Sequence, residues 1–197
     1  MNYYESSKNY YRDKYRGDGR YLNSTIDTIR RSGFSIFPEE EYLTIVETIH
    51  LFSDRFDSIY DMGCGSGSLL NFIDTHIGYP IKLFGVDFVE ESISLAKKIF
   101  PNYYFFCQNV IDFKLHIKSS GKCLILIDPY HYLNEDLRCL IQYYLNINAK
   151  IVLYTYSDVL TGLDYNTIFD FEIFKKYKVS FGIIKKTINT AVLSSNI

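Results

Sequence analysis

The stretch Ile59-Tyr60-Asp61-Met62-Gly63-Cys64-Gly65-Ser66-Gly67-Ser68-Leu69-Leu70 constrains the fold more than any other. A β-rich apolar run leads in and an apolar helical pattern leads out. The glycines between them let the backbone turn sharply and let a ligand lie against bare peptide. A helix that starts directly after such a turn aims its free N–H groups at that ligand. Strand, glycine turn and helix in immediate succession belong to an α/β layout.

The flanking sequence repeats the alternation. Phe56 to Tyr60, Ile81 to Val86, Tyr103 to Cys107, Cys123 to Ile127 and Ile151 to Tyr156 read as short strands. Ser68 to Ile77, Glu90 to Ile99 and Glu135 to Leu145 read as helices between them. A further helix opens near Pro38. Glu39, Glu40 and Glu41 suit its dipole, and Tyr42, Ile45, Val46 and Ile49 form its apolar stripe. The tail breaks the pattern: Tyr177 to Ile184 and Ala191 to Ser194 read as two strands joined by Lys185 to Thr190. The expected fold is an α/β, Rossmann-like three-layer sandwich. Its sheet has seven strands, mostly parallel, with an antiparallel C-terminal strand. A chain of 197 residues that is 47% hydrophobic can bury such a core without disulfides or metals. Residues 36–197 form the domain. Residues 1–35, with Tyr3, Tyr4, Tyr10, Tyr11, Tyr15 and Tyr21 among charged and small residues, form a separate N-terminal segment.

Charge and cysteine usage narrow the setting. The net charge is −2, which argues against a protein that holds nucleic acid chiefly through phosphates. Local basic clusters, such as Lys175, Lys176 and Lys178, read as solvated surface. The four cysteines, Cys64, Cys107, Cys123 and Cys139, show no metal spacing with the four histidines, so no metal is expected. Cys107 and Cys123 lie in apolar runs that read as buried strands. Free buried thiols suit a reducing cytoplasm. The polar, Tyr-rich opening is no signal peptide, and no apolar run reaches the length of a membrane span.

The spacing around the loop is informative. It is Gly-x-Gly-x-Gly, with Asp61 two residues before the first glycine, whereas dinucleotide-binding loops read Gly-x-Gly-x-x-Gly. That spacing, and the lack of a substrate domain, disfavour a nicotinamide dehydrogenase. Asp87 closes the next strand in Leu83-Phe84-Gly85-Val86-Asp87-Phe88, where an acid can accept bonds from both ribose hydroxyls. The strand after that ends in Gln108-Asn109-Val110-Ile111-Asp112, polar groups suited to an adenine edge. Together, "YDMGCGSGSLL" resembles motif I of the class I S-adenosylmethionine-dependent methyltransferases, and "LFGVDF" resembles their motif II. The likeness spans residues 56–160. It implies S-adenosylmethionine as cofactor, with Gly63, Cys64, Gly65 and Gly67 under its methionine part. Asp61 would help hold its amino group, Asp87 its ribose and Phe88 its adenine face. Asn109 and Val110 would meet the adenine edge. Plainer roles compete: a loop-binding acid for Asp61, a helix N-cap for Asp87, a turn residue for Asn109 or Asp112, and a small filler for Cys64.

Ligands of open α/β sheets sit at the carboxyl ends of the strands. There Leu124-Ile125-Leu126-Ile127 runs into Asp128-Pro129-Tyr130-His131. This resembles motif IV of amino-methylating nucleic-acid enzymes, without its second proline. The chain therefore reads as an enzyme acting on an O, N or C atom of a small molecule or natural product. An RNA or DNA base methyltransferase is the alternative, and a non-catalytic cofactor-binding protein a further one. His131 has a pKa suited to removing a proton from the acceptor, and Asp128 is placed to orient it. Tyr130, with Tyr132, offers an aromatic wall, whose face also favours a sulfonium. Tyr11, Tyr15 and Tyr21 are candidates for a substrate-closing lid, with core packing as the competing role.

Overall fold

The computed structural model describes residues 39–52, 55–113, 123–127, 134–156, 170–181 and 184–194. The architecture is a Rossmann-like α/β sandwich with five parallel strands and four helices among the described residues. Contacts divide the chain into two compact units, Met1–Leu43 with Tyr60–Lys114, and Thr44–Ile59 with Leu115–Ile197.

Helix α1 (Glu39–Leu51) begins one residue after Pro38, as the dipole pattern predicts. Its expected stripe is buried: Tyr42, Ile45, Val46 and Ile49 all face inward, while Glu47 and His50 are exposed. Thr48 donates its hydroxyl back to the Thr44 carbonyl at 2.8 Å, which satisfies it without water.

In the first unit, β1 (Ser58–Met62) leads through the glycine turn into α2 (Ser68–His76). Then follow β2 (Lys82–Asp87), α3 (Glu90–Ile99) and β3 (Tyr104–Cys107), with strand order β3-β2-β1. Helix α2 stops where Gly78 takes φ +77 in open space, a conformation that favours glycine. Helix α3 carries Glu90 and Glu91 in its first turn and Lys97 and Lys98 in its last, matching its dipole. Strands β2 and β3 pair in parallel with Gly85 opposite Phe105 and Asp87 opposite Cys107. The two sides of this sheet differ in kind. Tyr60, Phe84 and Tyr104 stack in a row, with ring centroids 4.4 Å and 4.8 Å apart. Gly85 and Phe105 lie on the alternate positions, hence the opposite side.

In the second unit, β4 (Cys123–Ile127) and β5 (Lys150–Tyr156) pair in parallel around α4 (Asn134–Asn146). Ile125, Leu126 and Ile127 are all fully buried, as are Ile151, Val152 and Leu153. Burial on both sides explains why these strands read as unbroken apolar runs. Helix α4 buries Leu137, Leu140, Ile141, Tyr144 and Leu145, and the chain turns away after it at Asn148, whose φ of 59° asparagine tolerates. The Ala149 N–H returns to the Tyr144 carbonyl at 3.0 Å. Downstream, β6 (Asp170–Phe181) and β7 (Ile184–Ser194) pair antiparallel, and β7 also runs antiparallel to β5.

Two expectations are corrected. Lys185 to Thr190 is not a link between strands but part of β7, paired with Lys175 to Ser180. Thr187, Ile188 and Thr190 are strand formers, which suits this stretch to a strand rather than a turn. Cys107 is exposed rather than buried. It ends β3, which lies at the end of the strand order in its unit and buries only Phe105 among its four residues. Cys123 is buried as expected.

Candidate cofactor site

The loop after β1 is built from left-handed backbone. Gly63, Gly65 and Gly67 have φ of 94°, 54° and 80°. A side chain at any of them would be strained. The loop is tied to the end of β2: the N–H groups of Gly63 and Cys64 both donate to the Val86 carbonyl, at 2.8 and 3.1 Å. Gly67 then serves as N-cap of α2, and no side chain caps that helix. Its first N–H groups are therefore available in the way anion- and ligand-binding helix starts require. Ser68, first in α2, is held from α1 by Tyr42, with the two hydroxyls 3.0 Å apart.

Asp87 knots three segments together. Its Oδ2 accepts the Gly65 N–H at 2.9 Å, its Oδ1 accepts the Val89 N–H at 2.8 Å, and its carbonyl accepts the Gln108 N–H at 2.9 Å. The residue is 4% exposed. Burial pushes its carboxyl up to about 6, against the pull of backbone N–H groups at Val89, Gly65 and Phe88 and of the Ser92 side chain. Val89, not Asp87, is the N-cap of α3, so the helix-cap alternative does not account for this acid. Three backbone N–H groups and the Ser92 side chain thus converge on its two oxygens.

Asp61 is also buried, one residue before the end of β1. Cys64 reports the field between the two acids. Burial pushes its thiol well above the usual range, and the charges of Asp87 and then Asp61 push it further. Its Sγ donates to the Gly65 carbonyl at 3.6 Å and lies 2.6 Å from where a Cβ on Gly85 would stand. The side chain thus fills space beneath the loop, as the filler reading holds, and only its backbone can face a ligand. Ser66 Oγ, fully buried within the same loop, has no hydrogen-bond partner among the described residues.

The segment after β3 forms a turn. Asn109 Oδ1 accepts the Ile111 N–H at 3.1 Å, and the Asp112 N–H returns to the Asn109 carbonyl at 3.1 Å. This is an Asx turn, the plainer role foreseen for Asn109. Val110 is buried and Asp112 exposed. Phe88 is half-buried just beyond Asp87. Asp61, Gly63, Cys64, Gly65, Gly67, Asp87, Phe88, Asn109 and Val110 all fall in the first unit. Asp128, Tyr130, His131, Tyr11, Tyr15 and Tyr21 lie outside the described residues.

Two contributors went unread in the sequence. Phe105 and Gly85 face each other in register beneath the loop. The one signal was the glycine inside the strand pattern, which marks a close approach.

The donor set suits S-adenosylmethionine. Bare glycine backbone, an uncapped helix start and an orphaned hydroxyl provide a polar cradle. Two buried carboxylates make it electronegative, which suits a cationic sulfonium and an ammonium and repels a pyrophosphate.

No family model matches the chain, and no curated protein matches it. Solved structures do. A SAM-dependent methyltransferase from Leishmania major superposes with a TM-score of 0.70 at 11% identity, covering 98% of this chain and 83% of that one. The plantazolicin methyltransferase BpumL, in complex with a triazolic desmethylPZN analog and SAH, gives 0.62 at 15% identity, covering 96% of each. The magnesium protoporphyrin IX methyltransferase of Synechocystis PCC 6803, with bound SAM, gives 0.60 at 14% identity over 95% of this chain and 97% of that one. The chain therefore has the class I SAM-dependent methyltransferase fold.

Proposed function

We propose that this protein is an S-adenosylmethionine-dependent methyltransferase acting on an O, N or C atom of a small molecule or natural product. The observation that carries the reading is the pairing of the glycine turn with two buried acids, Asp61 and Asp87. The Gly-x-Gly-x-Gly spacing, and a second buried acid at Asp61 beside the loop, favour a cationic adenosyl ligand over a dinucleotide. Named relatives in fold that act on a porphyrin and on a plantazolicin precursor support the substrate class.

The bound cofactor supplies an electrophilic methyl group on a sulfonium. The chain's own work is placement and exclusion of water. Gly63, Gly65 and Gly67 present backbone to the methionine part, Asp61 takes its ammonium and Asp87 its ribose hydroxyls. Phe88 covers the adenine, and Asn109 and Val110 meet its edge. Asp128 orients the acceptor, His131 holds its proton when the acceptor is protonated, and Tyr130 walls the acceptor. Tyr11, Tyr15 and Tyr21 close over it. The register of β7 against β5 supports completion of the sheet to seven strands with an antiparallel end. No described helix is long and apolar enough to cross a membrane.

Calorimetry on the purified protein tests the reading. Saturable binding of S-adenosylmethionine and S-adenosylhomocysteine, with none of NAD, is expected. Preference for NAD, or no binding of either adenosyl ligand, overturns it. Incubation with methyl-labelled cofactor and fractionated small-molecule extracts then identifies the acceptor. Label appearing in RNA or DNA instead selects the base-methylating alternative.

A further inference from the structure

We propose that Phe105 is a positioning residue for the cofactor: its ring is the floor that sets the height of the glycine loop. The inference rests on the cofactor reading above and assigns a role to a residue outside the motifs. Phe105 is the single buried side chain of β3 and pairs in register with Gly85. A Cβ on Gly85 would lie 2.6 Å from Phe105 Cδ1, and a Cβ on Gly67 would lie 2.7 Å from Phe105 Cζ. One ring therefore reaches from the middle of β2 to the N-cap of α2. The same ring forbids a side chain at both glycines, although they sit on different segments.

The contact is closed on its other sides. Phe100 Cδ2 would be 3.4 Å from a Cβ on Gly67, and Cys64 Sγ would be 2.6 Å from one on Gly85. The aromatic ring and the thiol thus make a two-part floor, one piece rising from β3 and the other hanging from the loop itself. Interiors packed this closely transmit small displacements rather than absorb them. Gly67 is the hinge that matters: it fixes where the first N–H groups of α2 point. A smaller residue at 105 leaves a void under the Gly67 turn, and the cradle sinks into it. Cofactor affinity then falls by more than the loss of core packing alone produces.

Phe105→Leu, Phe105→Ala, Gly85→Ala and a Cys64→Ala, Phe105→Leu background test this, with Ile141→Ala as a buried control in the second unit. Melting temperature is read by circular dichroism, and affinity for S-adenosylhomocysteine by calorimetry at a temperature where each variant is fully folded. Phe105→Ala is expected to raise the dissociation constant at least tenfold, and Phe105→Leu to recover most of that. Ile141→Ala is expected to lower the melting temperature comparably and to leave affinity within twofold. Wild-type affinity in Phe105→Ala overturns the inference. No binding by the wild type overturns the cofactor reading instead. A second arm needs no cofactor. The drop in melting temperature caused by Gly85→Ala should shrink when Cys64→Ala and Phe105→Leu are already present. Strict additivity removes the steric claim.

Discussion

Replacing Asp87 by asparagine should separate stability from cofactor binding. The carboxylate is 4% exposed and its pKa rises from an ordinary 3.8 to about 6, chiefly through burial. The native state therefore keeps a proton that the unfolded chain has already lost. Between pH 3.8 and 6 the unfolded state binds fewer protons, so stability falls as pH rises. The ionised acid costs about 3 kcal/mol of folding free energy at neutral pH, at 1.36 kcal/mol per pKa unit. Asparagine escapes that cost but presents only one accepting atom. One of the N–H groups of Gly65 and Val89 then loses its partner, a penalty of about 1–3 kcal/mol. The two terms nearly cancel, so Asp87→Asn should match or slightly exceed the wild type in urea denaturation at pH 8. At pH 4 it should be the less stable protein. Cofactor affinity should behave quite differently. Losing hydrogen bonds from the ribose to a charged acceptor weakens binding by about 1.5–3 kcal/mol. Wild-type affinity should itself decline as pH falls below about 6. Calorimetry and urea titrations from pH 4 to 8 measure both. Undiminished affinity in Asp87→Asn, or a stability difference that does not change with pH, would refute the reasoning.

Gly67→Ala combines a positive φ with a collision against Phe105, so it should cost about 2–4 kcal/mol of stability and abolish cofactor binding, read by thermal melting and calorimetry. Asp61→Asn should weaken S-adenosylmethionine and S-adenosylhomocysteine alike, by about three- to tenfold, the scale of one partly screened charge on the ammonium both ligands carry; parallel titrations with both ligands check it, and an unchanged affinity for either refutes the assignment. Thiol labelling of the native protein followed by mass spectrometry should find Cys107 and Cys139 reactive, and Cys64 and Cys123 protected until denaturant is added, since burial holds both thiols protonated. His131→Ala should reduce turnover at least tenfold while leaving cofactor affinity unchanged, and an equal loss of both would assign the histidine a structural role.

The legible part of this chain is the part where local chemistry decides conformation. Glycines at 63, 65 and 67 announce a left-handed turn because few other residues tolerate one, and each adopts it. The stripe of α1 is legible because its apolar residues recur at helical spacing, although the buried face also takes in Thr44 and Thr48. Acids flanking the turn were likewise readable by position alone. Phe105 was not. As one aromatic among many in Tyr103 to Phe106, it is distinguished only by standing opposite Gly85, and register across strands is not written along the chain. Cys107 misled for a related reason. An apolar tetrapeptide has the same composition whether both its sides are covered or one. The strand pair at the C-terminus was legible in existence but not in register: Lys185 to Thr190 pair with Lys175 to Ser180 instead of linking the strands, and pairing partners are not written along the chain.

The same distinction explains why the cofactor half of the chemistry can be read so much further than the acceptor half. A cofactor of fixed shape imposes fixed demands: a turn without side chains, an acid at one strand end, an acid at the next. On the proposed cofactor reading those demands meet the folding rules at the same residues: Gly65 adopts a turn that only glycine takes easily, and its N–H donates to Asp87 Oδ2. Asp87 shows what the overlap costs. A residue chosen for stability alone would not be a buried carboxylate whose charge opposes folding. Its place at the end of β2, tied to the glycine turn, fits the proposed ligand role as well as the structural one. The methyl acceptor imposes no such common geometry. It needs an oriented atom and a dry wall, which many residues at Asp128 to Tyr132 can provide without leaving a spacing behind.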